Sequence, residues 1–221
     1  MKFAYHELSG CENLILKDEI FLHLIKARRS KIGDELKFYN FKDLKLFSYI
    51  VEKIGKKDAF LKLKSFEKIV KPKLKECVAG IGAVEPKNLE KILPMLNELG
   101  VKSLGIVKLD YSQGNFKYDE KRMEKILINS SMQCGRFELM ELSFFDGLSH
   151  WLKKYPNSHF VDFSQNGSKI EEISAFLIGP EGGFSQKERE IFDKNRILTL
   201  KTPFILRSET ALLSVCAKIF S

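Results

Sequence analysis

Along the first 68 residues, apolar and polar positions alternate in short runs. Glu35-Leu-Lys-Phe-Tyr-Asn40 and Ala59-Phe-Leu-Lys-Leu-Lys64 carry the period of two expected of half-buried strands, and Leu46-Phe-Ser-Tyr-Ile-Val51 is an apolar strand. Gly33-Asp34 and the Gly-Lys-Lys-Asp stretch at 55–58 supply the turns. Residues 19–29 read as an embedded helix, so this part predicts a small β-barrel carrying one helix. The Lys-rich stretch 68–76, with Pro72, separates it from a different periodicity and divides the chain into domains at 1–70 and 71–221.

From Cys77 the pattern becomes strand–helix alternation. Cys77-Val-Ala-Gly-Ile-Gly-Ala-Val84 and Leu104-Gly-Ile-Val-Lys-Leu109 are uninterrupted apolar strands. Glu138-Leu-Met-Glu-Leu142 and His159-Phe-Val-Asp-Phe163 follow, with short strands at 176–178 and 197–200. Helices are predicted at 88–99, where Pro94 suggests a kink, at 118–134, where Met123, Ile126, Leu127 and Ser130 share helical spacing, at 145–155 and at 208–220. Alternating β and α with continuous apolar strands predicts an α/β domain whose parallel sheet is covered on both faces.

Charge sharpens the division. The chain has a net charge of +8, and residues 1–75 hold 18 Lys and Arg against 10 Asp and Glu, whereas residues 76–221 hold 19 of each. The whole excess therefore lies in the first third, as expected of a module that holds a polyanion, although a generally Lys-rich composition is the plainer alternative. No run approaches the ~18 apolar residues of a membrane span, and the opening Met-Lys-Phe-Ala-Tyr-His-Glu has no apolar core of a signal peptide. Cys11, Cys77, Cys134 and Cys216 form no Cys-x-x-Cys pair, which argues against zinc or a disulfide framework and for reduced, cytoplasmic thiols.

Two stretches near the C-terminus carry the candidate chemistry. Phe176-Leu-Ile-Gly-Pro-Glu-Gly-Gly-Phe184 is a buried strand running into a glycine-rich loop, followed by a polar helical pattern from Ser185. Glycines there allow main-chain N–H and C=O groups to approach a ligand closely. Leu206-Arg-Ser-Glu-Thr-Ala211 follows Pro203 and opens the last helix. Two polar loops after two strands predict one pocket at the strand ends of the sheet. The loop lacks the Gly-x-Gly-x-x-Gly spacing of a dinucleotide site. His6, His23, His150 and His159 are scattered and none has a recognisable nucleophilic partner.

Gly179-Pro-Glu-Gly-Gly183 together with Leu206-Arg-Ser-Glu-Thr-Ala211 resembles the bacterial 16S ribosomal RNA (uracil-N3)-methyltransferases of the SPOUT class. The resemblance extends to Gln133-Cys-Gly-Arg136 and, more faintly, to His23-Leu-Ile-Lys-Ala-Arg28 with Gly33-Asp34. It implies a PUA-like RNA-binding β-barrel, then a methyltransferase domain with a C-terminal trefoil knot, working as a homodimer through the last helix. It implies S-adenosylmethionine as cofactor, without a metal. Ile178, Gly179, Pro180, Glu181, Gly182 and Gly183 would hold it from one side, Leu198, Leu200, Pro203 and Leu206 from another, and Arg207, Ser208, Thr210 and Ala211 from the third. For the four apolar walls, Ile178, Leu200, Pro203 and Leu206, ordinary core is the alternative.

Arg136 and Glu209 are the candidate catalytic residues. Arg136 grips a phosphate or stabilises charge on a uracil oxygen, or else forms a surface ion pair. Arg207 and Glu209 alternatively brace the implied knot as an internal salt bridge, and Glu181 alternatively bonds main chain. His23, Arg28, Arg29 and Lys31 would contact RNA; Phe38 and Tyr39 either stack on bases or fill the barrel core. The chain departs from the family's pattern at Met132, where a Glu is usual, at Phe137-Glu-Leu-Met140, where an apolar-proline element is typical, and at Ser208, where Thr is commoner. The implied partner is 16S rRNA or the small ribosomal subunit in the cytoplasm. A SPOUT enzyme with another RNA target and a non-catalytic ribosome-assembly factor are the competing readings.

Overall fold

The computed structural model describes residues 2–112, 114, 116–162, 173–200 and 202–220. Two compact units comprise Met1–Pro72 with Ser131–Glu138, and Lys73–Ser130 with Leu139–Ser221.

The first unit contains β1 (Ala4–Tyr5), β2 (Asn13–Lys17), α1 (Asp18–Phe21), a π-helical turn over Leu22–Ala27, β3 (Glu35–Tyr39), β4 (Lys45–Ile54) and β5 (Asp58–Lys68). These strands form one five-stranded sheet in the order β1-β3-β4-β5-β2, antiparallel except where β1 meets β3. Its alternation is plain in β2, where Leu14 and Leu16 are buried while Asn13, Ile15 and Lys17 are exposed. Leu14, Leu16, Phe38, Tyr49, Val51 and Leu61 share a core with Phe21 and Leu24 from the helical segment. β1, two residues long, and β2 lie outside the strands that the alternation predicts. Phe38 and Tyr39 are 0% and 1% exposed, so both are core and neither is available to stack on a base.

The segment 131–138 belongs to this unit by specific contacts. Phe137 stacks on Phe3 with centroids 5.0 Å apart, and the Tyr39 hydroxyl donates to the Phe137 carbonyl at 3.0 Å.

The second unit alternates β6 (Val78–Gly82), α2 (Pro86–Glu98), β7 (Ser103–Val107), α3 (Glu120–Cys134), β8 (Glu141–Phe145), α4 (Leu148–Lys154), β9 (His159–Val161), β10 (Ala175–Ile178), α5 (Gln186–Ile191), β11 (Ile197–Leu198) and α6 (Ser208–Phe220). The last turn of α3 is counted with the first unit. All pairings in the six-stranded sheet, ordered β11-β9-β10-β6-β7-β8, are parallel. Pro94 lies inside α2. The strand expected at 138–142 instead runs over Glu141–Phe145, and the helix expected at 145–155 is confined to Leu148–Lys154. Gly147, extended at φ 177° and ψ 172°, separates the two elements, and Phe145 packs edge-on to Trp151 as the last strand residue. Phe163, at the end of one expected strand, and Lys201, just after the strand expected at 197–200, lie outside the described residues.

Paired glycines shape the centre of this sheet. Gly80 on β6 lies opposite Gly105 on β7, and a Cβ on Gly80 would come within 2.8 Å of Trp151. The indole fills that slot and donates from Nε1 to Ser158 Oγ at 2.8 Å, which satisfies its one polar atom. On the other core cluster, Leu212, Val215, Cys216 and Ile219 of α6 join Leu89, Ile92, Leu93 and Leu96 of α2. This packing fixes the last helix, and with it the 206–211 motif, against the sheet.

Candidate functional site

β10 is buried at all four positions and delivers the chain into the glycine-rich loop at its C-terminal end. Gly183 adopts φ +72°, and its N–H donates to the Pro180 carbonyl at 2.8 Å, closing a tight turn. A Cβ on Gly179 would lie 3.1 Å from the Phe184 ring. A Cβ on Gly182 would lie 3.0 Å from the Tyr111 Cβ, and Gly182 is not among the residues that line the adjoining pocket.

The loop ends in a capping box that starts α5. Ser185 Oγ accepts from the Glu188 N–H at 3.2 Å, while Glu188 accepts from the Ser185 N–H at 2.8 Å. The other oxygen of buried Glu188 accepts from the Asp110 N–H at 3.0 Å, and Ser185 Oγ donates to the Asp110 carboxylate. The loop is thereby tied to the segment following β7.

The second motif closes on the first through one bond. Ser208, 4% exposed, donates from Oγ to the Gly179 carbonyl at 2.8 Å. A pocket lies between them, lined by Ile178, Gly179, Pro180, Glu181, Gly183, Leu200, Leu206, Ser208 and Ala211. The other expected cofactor residues stand outside its lining. Leu198 is core, 1% exposed, and Pro203, Arg207 and Thr210 are exposed.

Val161, Asp162, Phe184 and Ile205 also line the pocket and were not anticipated. Asp162, its side chain 9% exposed, is held by Arg189 of α5 at 2.7 Å, and Arg189 Nε also donates to the Phe184 carbonyl at 3.0 Å. Within the strand expected at 159–163 this acid carries no signal in sequence; its place at the pocket comes from this tertiary pairing. The walls are apolar, the rim offers main-chain groups and two carboxylates (Glu181 and Asp162), and the enclosed space is about 50 Å³. A wider groove of about 730 Å³ is lined by Lys108, Asp110, Asp146, Lys187 and Glu188 among others, but it contains no residue of either motif.

No ion pair joins Arg207 to Glu209 among the described residues, so the alternative reading of the two as an internal salt bridge finds no support. Glu209 Oε2 is buried without a hydrogen-bond partner among the described residues, and Glu181 is exposed. Arg136 belongs to the first unit. Its side chain is 8% exposed and 3.8 Å from Glu138, so it is a buried cation rather than a surface one. Burial draws its pKa down while the Glu138 carboxylate opposes that shift. His23, Arg28, Arg29 and Lys31 are all exposed around the end of the helical segment. The Arg28 N–H reaches the His23 carbonyl at 3.1 Å, and Arg29 takes the left-handed φ of +60°.

Among the described residues no helix is long and apolar enough to cross a membrane, and no cluster of His, Cys, Asp or Glu is placed to hold a metal ion.

The RNA methyltransferase domain family matches residues 71–220, and the RNA methyltransferase PUA domain family matches residues 16–64. The ribosomal RNA small subunit methyltransferase E of Helicobacter pylori (strain J99) is 38% identical over 224 residues, covering 98% of each chain. A probable rRNA-methyltransferase from Porphyromonas gingivalis has the same fold with a TM-score of 0.81 at 20% identity, covering 99% of this chain and 97% of that one. A ribosomal RNA small subunit methyltransferase E from Neisseria gonorrhoeae, solved bound to S-adenosyl methionine, gives a TM-score of 0.75 at 20% identity over 99% and 96%. The chain, a PUA domain followed by a parallel-sheet catalytic fold, belongs to the RNA methyltransferase family.

Proposed function

We propose that the protein is an S-adenosylmethionine-dependent methyltransferase acting on N3 of a uridine in the 16S rRNA of the small ribosomal subunit. The observation that carries this reading is the Ser208–Gly179 hydrogen bond, which draws the two motifs around one pocket. The pocket's chemistry suits the cofactor: Ile178, Leu200, Leu206 and Ala211 offer apolar surface for a flat base, while glycines bare the main chain. Asp162 is a buried acceptor on the same wall, suited to hydroxyl or ammonium groups. Bound there, S-adenosylmethionine supplies an electrophilic methyl group.

The protein's part is placement. Holding acceptor and donor in line is worth several kcal/mol of barrier, on the order of the effective-molarity advantage of oriented reactants. Glu209, with its unpartnered buried oxygen at the start of α6, is the proposed acceptor or orienter of the uracil N3 proton. Arg136 is the proposed cation for charge developing on a uracil oxygen. Exposed His23, Arg28, Arg29 and Lys31 take RNA phosphates. The reading includes a domain boundary near residue 70, a C-terminal trefoil knot, a homodimer through α6 and a cytoplasmic location.

The test is labelled-methyl transfer to small subunits, naked 16S rRNA and bulk tRNA from cells lacking the activity, with products resolved as nucleosides. Recovery of 3-methyluridine from 16S rRNA is expected, and a methylated ribose or a tRNA product would overturn the target. Arg136→Ala should lower the transfer rate about 10²-fold, the scale of losing one charge-stabilising donor, with cofactor affinity unchanged. Equal loss of both would remove Arg136 from the chemistry.

A further inference from the structure

The five-stranded sheet buries one face on Leu14, Leu16, Val51 and Leu61; the other is covered at one end, over Tyr39 and Leu46, and is exposed around Ile15, Phe60, Lys62 and Lys53. Cross-strand register assembles a definite group on that open face. Ile15 on β2 lies opposite Phe60 on β5, and Phe60 lies opposite Lys53 on β4. Two residues along β5, Lys62 lies between Asn13 and Ile50, and Lys17 stands at the near end of β2 opposite Asp58. Ile15 and Phe60 are 45% and 38% exposed. Neighbouring strands are spaced about 4.8 Å and alternate residues of one strand about 6.8 Å, so Lys53 and Lys62 flank one aromatic ring.

The charges on this face are not balanced among themselves. Lys37 and Lys64, on the same sheet, are neutralised by Glu67 and Glu35 at 2.8 and 2.6 Å. Lys17, Lys53 and Lys62 have no ion pair or hydrogen bond from their side chains among the described residues. Two acids lie near them. The Asp58 carboxylate is folded back over Gly55 of the hairpin, and Glu52 is the extra residue of the bulge between Val51 and Lys53. An exposed aromatic beside an aliphatic side chain, ringed by unpaired lysines, fits a ligand with flat bases on an anionic backbone.

We propose that this sheet face is a second RNA-contact surface, separate from the helix-end group at His23, Arg28, Arg29 and Lys31, and that it holds a single-stranded segment. Phe60, backed by Ile15, stacks one base, and Lys17, Lys53 and Lys62 take the adjoining phosphates. The inference rests on RNA being the substrate and adds to it where a strand leaving the target nucleotide is held.

The experiment is equilibrium binding of the full chain to a fluorescent dodecamer of uridine across a salt series, with purified small subunits as a second ligand. Melting temperatures establish that each variant is folded. Lys53→Gln with Lys62→Gln should flatten the slope of log K against log salt by about 1.4, two phosphate contacts on a single strand. Phe60→Leu, which keeps apolar bulk but loses the ring, should weaken binding about tenfold and leave the slope unchanged, since stacking is not ionic. Unchanged slope and affinity in folded variants would overturn the proposal. Loss of subunit affinity with intact oligouridine binding would also overturn it and assign the face to a ribosomal protein. Failure of the unaltered chain to bind either ligand would count instead against RNA as the substrate.

Discussion

At the scale of single residues, the pocket depends on one hydroxyl. Ser208 Oγ is buried and donates to the Gly179 carbonyl at 2.8 Å, so the motif that begins the last helix is hydrogen-bonded to the motif that ends β10. Ser208→Ala removes a donor from a buried carbonyl at a cost of about 1–2 kcal/mol, read as a lower denaturation midpoint. Cofactor affinity should fall with it, whereas Ser208→Thr keeps the hydroxyl and should retain both. An unchanged affinity in a destabilised Ser208→Ala would mean that the two motifs act independently. This hydroxyl was legible in sequence because it sits in a short motif whose neighbours also have local roles. Asp162 was not, because the pattern reads it as one residue of a strand over 159–163, and its pairing with Arg189 at 2.7 Å is set by tertiary structure. Phe38 and Tyr39 were ambiguous for the opposite reason: adjacent aromatics near basic residues suit core and RNA equally, and only their burial separates the two.

At the scale of elements, the parallel sheet was the most legible feature. β6, β7 and β10 are nearly continuous apolar runs because both faces are covered, and covering leaves no polar alternation to confuse the reading. Boundaries fared worse at Phe145, where an apolar residue continues a strand that the pattern assigned to the following helix. The loop before α6 shows what pattern cannot give. Phe204 and Ile205 are 74% and 86% exposed, and Ile205 nevertheless lines the pocket. The enclosed space of about 50 Å³ admits a water or two and not a nucleoside. Seating one here is expected to move the loop, and closure over the ligand would bury apolar surface that now faces solvent. Hydrogen exchange at 202–207 and 179–184 should slow when S-adenosylmethionine is added, while exchange within β6 and β7 stays as it was. Exchange unaltered at both loops, with binding demonstrated by calorimetry, would show that the ligand sits elsewhere.

At the scale of the whole molecule, the chain enters the second unit after Pro72 and contributes to the first again at 131–138. Nothing in the sequence of that return segment announces it. Met132 and Phe137 read only as departures from the family's pattern, and their place is set by Phe3, Tyr5 and Tyr39, far away along the chain. Excising residues 1–70 would strip those partners from Met132 and Phe137, so domain function is better tested in the full chain by conditions that reach both units. Acid is such a condition. His6 in the first unit is held below the ordinary histidine value of 6.5 mainly by burial, against the opposing Ile15 backbone and Glu7. In the second unit, burial and then the Arg196 cation lower His159 from the same 6.5. Each therefore binds its proton more readily unfolded than folded. Their contribution to stability is complete above about pH 6.5 and is lost as the pH falls below the unfolded value. Most carboxylates titrate lower, around pH 4, so between pH 6.5 and 5 the histidines dominate the slope. The melting temperature should be level above neutrality and decline over that interval. His6→Gln and His159→Gln should each flatten the decline, with the double variant flatter than either. If the units melt separately, each substitution should act on its own transition alone. A decline that survives in the double variant would mean that groups other than the histidines govern the acid limb.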